Sequence, residues 1–216
     1  MKNYVRLYNN QKMKKIILLL TLFFSSILQS QNLDINLLKD INHSYTKTGG
    51  KMMIFITDSD DPVSFGLPIG LAINGLITKD KSNYLNSLEM LSTSLLSSIL
   101  TTSLKFTFNR PRPFVTYPDD ITQYAHAGSK SFPSGHTSFC FATATSFSLL
   151  YPKWYVVVPM FTWASLVGYS RMYLGVHYPS DVLVGAIVGS ASAIGTNYLF
   201  NYVKNKREAK KVSLEL

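Results

Sequence analysis

Five stretches of this 216-residue chain contain no Asp, Glu, Lys or Arg: residues 62–78, 90–104, 131–152, 154–170 and 182–203. They run 17, 15, 22, 17 and 22 residues, near or slightly below the ~20 that an α-helix needs to cross a bilayer. The pattern predicts an all-α fold, a helical bundle embedded in a membrane with five or six spanning helices; a soluble helical bundle is the alternative. Residues 90–104 set a further condition. They carry eight hydroxyl side chains, which must face a bundle interior or bond back to their own helix.

The formal net charge of +9 suggests nucleic acid until its distribution is traced. Residues 1–30 hold five bases and no acid, and residues 204–216 hold five bases against two acids. The remaining 173 residues are close to neutral, with eleven bases and ten acids. A nucleic-acid face is therefore not expected; positive charge flanking apolar segments fits a membrane. The single cysteine, Cys140, excludes an intrachain disulfide and a cysteine-based zinc site, and reads as a small apolar residue on a buried helix face.

The chain reads as three regions. Residues 1–30, with a basic start, an apolar run from Ile16 to Phe24 and polar residues near Ser30, read as a signal peptide or a first membrane helix. Residues 31–203 form the helical domain, and 204–216 a basic cytoplasmic tail. With the N-terminus inside and alternate crossings, thirteen bases fall on the inner side and eight on the outer.

In that topology three polar clusters gather at the outer ends of the segments: "KFTFNRPRPF" after 90–104, "FPSGH" opening 131–152, and "SRMYLGVHYPSD" between the last two. In "PSGH", Pro133 suits a first helical turn, and the free amides beyond it, with the helix dipole, form an anion site. Ser134 adds a hydroxyl, Gly135 admits close approach, and His136 sets an imidazole at the rim. In "HYPSDV", Pro179 again opens a helix. Asp181 at its third position can reach back to His177, fix its tautomer and leave the other ring nitrogen free to attack, or it can simply cap the helix. Lys105, Arg112 and Arg171 bring cations suited to phosphate oxygens. The clusters hold few carboxylates, which argues against a two-metal site, so neither metal nor cofactor is expected.

Lys105 with six residues to Arg112-Pro113, Pro133-Ser134-Gly135-His136, and Ser170-Arg171 with five residues to His177 and three more to Asp181 resemble the three-part signature of the type 2 phosphatidic acid phosphatase superfamily. That superfamily also includes class A acid phosphatases and vanadium haloperoxidases. The match covers residues 105–181 without a departure, and its register selects Arg112 over Arg110. The resemblance implies a metal-independent phosphohydrolase with a phosphohistidine intermediate. It implies His177 as nucleophile, Asp181 as its orienting partner and His136 as general acid, with Lys105, Arg112, Ser134, Gly135 and Arg171 cradling the phosphate. The expected substrate is a lipid phosphate or lipid diphosphate, and the expected location the bacterial inner membrane with the site facing the periplasm. Alternatives are a soluble periplasmic acid phosphatase of broad specificity, a vanadate-dependent haloperoxidase and a non-catalytic lipid-phosphate binder. His43 and His126 read as loop or interface histidines, and "DSDD" at 58–61 as a solvated turn. The loop from Phe114 to Phe132 is expected to border the site.

Overall fold

The computed structural model describes residues 32–128 and 130–215. The signal peptide or first membrane helix expected in residues 1–30 lies outside the described residues. The chain divides into two compact units at Leu38, and the helical bundle belongs to the second, Leu38–Leu216. Residues 32–43 are helical (α1). Seven helices come after it: α2 (Lys47–Thr57), α3 (Asp60–Thr78), α4 (Lys81–Phe108), the single turn α5 (Pro113–Thr116), α6 (Gly135–Leu150), α7 (Trp154–Tyr173) and α8 (Pro179–Glu215). The fold is all-α, with no strand among the described residues.

Local chemistry sets the boundaries. Lys79 and Asn109 adopt left-handed backbone angles, φ 54° and 44°, and end α3 and α4. The Asp80 side chain accepts from Ser82 N at 2.8 Å and caps α4 one residue after α3 has stopped, so these two helices form a tight antiparallel hairpin. Helix α6 starts at Gly135 with Ser134 as its N-cap residue. Pro133, expected in the first turn, therefore precedes the helix. Helix α4 begins well ahead of the charge-free stretch 90–104, and α8 continues through the basic tail to Glu215.

Helix α6 is the centre of the bundle, packed by α3, α4, α7 and α8. Its sequence is mostly small residues, and nine of its sixteen residues are buried, which lets its neighbours approach closely. Gly185 and Gly189 of α8, four apart, face it: a Cβ on Gly185 would stand 2.7 Å from the Ser134 carbonyl oxygen, and one on Gly189 would overlap that of Ser138. Only glycine permits this backbone contact. Cys140 is fully buried beside Ala144, Ala164 and Val167, as its sequence context suggests.

The bundle is polar inside and apolar outside. Thr93, Ser94, Ser97 and Thr101 of α4 are buried, as are Ser138, Thr143, Thr145 and Ser146 of α6. Ser97 and Thr101 both bond to Ser138 Oγ, at 2.7 and 2.8 Å, and Asn197 of α8 donates to the buried Glu89 carboxylate of α4 at 2.8 Å. Outward point Ile69, Ile73 and Ile77 of α3, Leu95 and Ile99 of α4, Trp154 and Val158 of α7, and Leu183, Ile187 and Ile194 of α8. Of the hydroxyls in 90–104, Thr93, Ser94, Ser97 and Thr101 go to the interior as expected, whereas Ser98, Thr102 and Ser103 are exposed. By length and hydropathy together, one stretch among the described residues, Pro179–Arg207 with mean hydropathy 1.5, is long and apolar enough to cross a membrane. The interior hydroxyls and Glu89 are what hold down the apolar character of the neighbouring helices.

Candidate active site

At one end of the bundle α3, α6 and α8 begin while α4 and α7 finish, so these helix ends and the loop after α5 converge. The Ser134 amide donates to the Asp181 carbonyl at 3.0 Å and joins the first turns of α6 and α8. Between α7 and α8 the chain reverses at Gly175, φ 73°, where any Cβ would strike the Thr122 carbonyl. That reversal delivers Val176, His177 and Tyr178 into the site.

His177 and Asp181 are both buried, at 1% and 0% exposure, and His177 Nδ1 lies 3.4 Å from Asp181 Oδ2. Asp181 reaches back as its place in the helix predicts, accepting from Tyr178 N at 3.0 Å. Ser131 Oγ also donates to Oδ2, and Arg110 donates to Oδ1 at 2.7 Å. The opposite face of the imidazole meets Arg112, whose Nη1 is 3.0 Å from His177 Nε2. A guanidinium has hydrogens to give and no lone pair, so Nε2 must be the acceptor. The proton then sits on Nδ1, facing Asp181, and the Nε2 lone pair opens toward the cations. Burial agrees with a neutral ring: it lowers the His177 pKa to about 3, against the opposing pull of the Asp181 hydrogen bond.

Arg112 is itself buried and held by the Gly128 and Val176 carbonyls, each at 2.6 Å. Arg171, 3% exposed, bonds Thr57 Oγ1 of α2 at 2.8 Å through Nη1, while its buried Nε has no partner among the described residues. Lys105, on the last turn of α4, bonds the Lys130 carbonyl at 3.2 Å, and its Cε comes within 3.9 Å of where a Cβ on Gly135 would stand. A cavity of about 410 Å³ opens beside Lys105, Gly135 and His136 and continues along Ser98 and Thr102 of α4. Every residue proposed from the sequence, Lys105, Arg112, Ser134, Gly135, His136, Arg171, His177 and Asp181, lies at this end of the bundle. Ser134 is fully buried, and its Oγ takes a hydrogen bond from Thr137 at 2.8 Å.

The sequence model of the PAP2 superfamily matches residues 86–205, more than half of the chain, and takes in all of these residues. The chain belongs to the PAP2 superfamily. Its enzyme class is accordingly that of a phosphohydrolase acting on phosphoric monoesters or diphosphates. An undecaprenyl-diphosphatase of Sulfolobus acidocaldarius is 26% identical over 81% of this chain and 83% of its own length. A lipid A 1-phosphatase of Rhizobium johnstonii is 32% identical, over 50% of this chain and 45% of that protein. Among solved structures, a transmembrane PAP2-type phosphatidylglycerolphosphate phosphatase of Bacillus subtilis superposes with a TM-score of 0.63 at 25% identity, over 82% of this chain and 87% of that one.

Around this PAP2 site the structure adds residues that the motifs do not name. Arg110, set aside by the spacing, pairs with Asp181, bonds Ser180 Oγ at 2.7 Å and lies 3.7 Å over the Tyr178 ring. Its place depends on residues some 70 positions away, and no local pattern announces it. The "DSDD" run is a correction: Asp60 is not a solvated turn residue but the buried first residue of α3, with Oδ2 3.4 Å from His136 Nε2. A carboxylate just ahead of a charge-free helix at the cluster end was the available signal. The loop before α6 borders the site through the Gly128 and Lys130 carbonyls, and is tied back by the Lys39–Asp120 ion pair at 2.8 Å and by His43 Nε2 donating to the Asp120 carbonyl at 2.8 Å.

Proposed function

We propose that this chain is a membrane-embedded phosphatase that removes phosphate from a lipid phosphate or lipid diphosphate by way of a phosphohistidine on His177, at the outer face of a bacterial inner membrane. The observation that carries the chemistry is the buried His177 with its proton side on Asp181 and its lone-pair side on Arg112. A phosphate bound at His177, beyond the cavity that Lys105 and His136 line, takes over the Arg112 hydrogen bond and meets the Arg171 Nε, Lys105 and the first-turn amides of α6. These cations hold the equatorial oxygens while Nε2 attacks phosphorus, the P–N bond forming as the P–O bond breaks. His136 gives its proton to the departing oxygen. Asp181 stabilises the phosphoimidazolium through Nδ1–H. In the second half His136 takes a proton from water, the oxygen attacks phosphorus, and the P–N bond breaks to release phosphate.

The inverted packing supports the membrane reading, since apolar faces on four helices would be unsheltered in water. The Sulfolobus and Rhizobium relatives are named for lipid substrates, and the Bacillus subtilis neighbour for a transmembrane enzyme. Bases at Lys79, Lys81, Lys153 and beyond Val203 favour the opposite end as the cytoplasmic one.

Phosphate release by the detergent-purified protein from a lipid phosphomonoester, a lipid diphosphate and soluble phosphate esters tests the substrate class. The lipids should be turned over with far higher kcat/KM; equal or better turnover of soluble esters would move the protein to the acid phosphatases. In a Cys140→Ser background, Thr122→Cys should react with an impermeant thiol reagent in intact cells and Asn205→Cys should not. The reverse pattern, or release by washing without detergent, overturns the placement.

A further inference from the structure

Helix α3 supplies none of the three motif segments, yet its first residue enters the site. Asp60 Oδ1 accepts from Asp61 N at 2.7 Å, which fixes the carboxylate on its helix. Asp60 Oδ2 lies 3.4 Å from His136 Nε2. The turn ahead of α3 is tied to α7 where Trp163 Nε1 donates to Ser59 Oγ at 2.8 Å, so the carboxylate is held from two sides. The Asp60 side chain is 12% exposed, whereas that of His136 is 40% exposed and lines the cavity.

His136 has an electrostatic difficulty. Burial first, and after it the charges of Arg171 from α7, Arg112 from the loop before α5 and Lys105 from α4, disfavour a second proton on the ring. Yet an acid for the leaving oxygen must hold that proton when the P–O bond breaks. The nearby carboxylates are Asp60 and Asp61 at the start of α3 and Asp58 in the turn before it; among the described residues Asp60 is the one paired with the imidazole, and burial, with its acidic neighbours, raises its own pKa.

We infer that Asp60 is the positioning residue of the general acid: it accepts Nε2–H of His136, favours the protonated ring against burial and three cations, and leaves Nδ1 to face the leaving oxygen. The site then holds two His–carboxylate pairs, His177 with Asp181 for attack and His136 with Asp60 for departure. This rests on the phosphatase reading above.

Asp60→Asn keeps the size of the side chain and an acceptor for Asp61 N while removing the charge. The assay compares an alkyl phosphate lipid, whose leaving oxygen needs a proton, with p-nitrophenyl phosphate, whose leaving oxygen does not. Relative to wild type, kcat/KM of the variant should fall by about 10- to 100-fold on the lipid and by less than about threefold on the aryl ester. The alkaline limb of the lipid profile should move to lower pH by about one unit, because the charge that retained the proton is gone. Asp60→Glu should recover most of the loss, and Asp60→Asn should add nothing in a His136→Ala background. Equal losses on both substrates, an unmoved alkaline limb or additive losses in the double variant would make Asp60 a helix-capping residue and overturn the inference. Wild-type protein that hydrolyses neither substrate would instead sink the phosphatase reading itself.

Discussion

Arg110 and Arg112 stand two residues apart in "NRPRP", and the structure separates their work. Arg110 reaches past the imidazole to Asp181 Oδ1 at 2.7 Å, whereas Arg112 donates to the imidazole Nε2 at 3.0 Å. Arg110→Ala leaves a fully buried carboxylate short of one charged partner. Removing one member of a fully buried pair costs about 3–5 kcal/mol, and because the Arg110 side chain is 28% exposed a smaller figure applies, about 2–3 kcal/mol. Loss of its stacking on Tyr178 adds about 1 kcal/mol. At about 2–4 °C per kcal/mol for a chain of this size, the thermal midpoint should fall by about 5–15 °C. Asp181 keeps Ser131, Tyr178 N and His177, so kcat should fall by less than about tenfold. Arg112→Lys, by contrast, cannot reproduce the forked guanidinium, and kcat/KM should drop by about 100-fold or more. Thermal melts and phosphate release on the same detergent preparations separate the two. An Arg110→Ala protein with an unchanged midpoint but background turnover, beside an active Arg112→Lys, would refute this division of roles.

Asp181→Asn should retain the fold while slowing turnover by about 10²- to 10⁴-fold through a misdirected imidazole; turnover within a factor of about three of wild type would argue that Asp181 only caps α8. The His177 pKa is lowered to about 3, so the neutral ring favours the fold: that stability is present above about pH 6.5 and is lost as pH falls toward 3, and His177→Asn should flatten this part of the stability curve in pH-dependent melts. Gly189→Ala should lower the thermal midpoint, since the new methyl overlaps the Ser138 carbonyl, whereas Gly66→Ala, with open space around it, should leave the midpoint unchanged or raised; equal behaviour of the two would contradict the close α6–α8 contact.

Much of the architecture is written in the order of the residues. The charge-free segments mark α3, α6 and α7 because each crosses the bundle with its charged residues confined to the helix ends. They understate α4, whose buried Glu89 is satisfied by Asn197 of α8, a partner invisible to local pattern. The motif spacings identify both histidines and Asp181, since Pro179 opening a helix forces Asp181 back toward His177. The partners of those residues are not legible. Asp60 lies 76 residues before His136, and Arg110 lies 71 before Asp181. Both are contacts of tertiary placement, in which two helix ends meet without sharing any sequence period. The N-cap of α6 is a smaller case: Pro133 precedes the helix because Ser134 takes the cap position.

The central claim is that phosphate passes through His177 Nε2. Incubation of the purified protein with a lipid phosphate carrying labelled phosphorus, followed by a rapid alkaline quench that preserves phosphohistidine, reads it directly. The label should appear on the peptide containing His177, disappear on acid treatment, and be absent from His177→Ala protein. Wild-type protein that turns over the lipid yet carries no alkali-stable label, or a label that persists after His177 is replaced, would contradict the account.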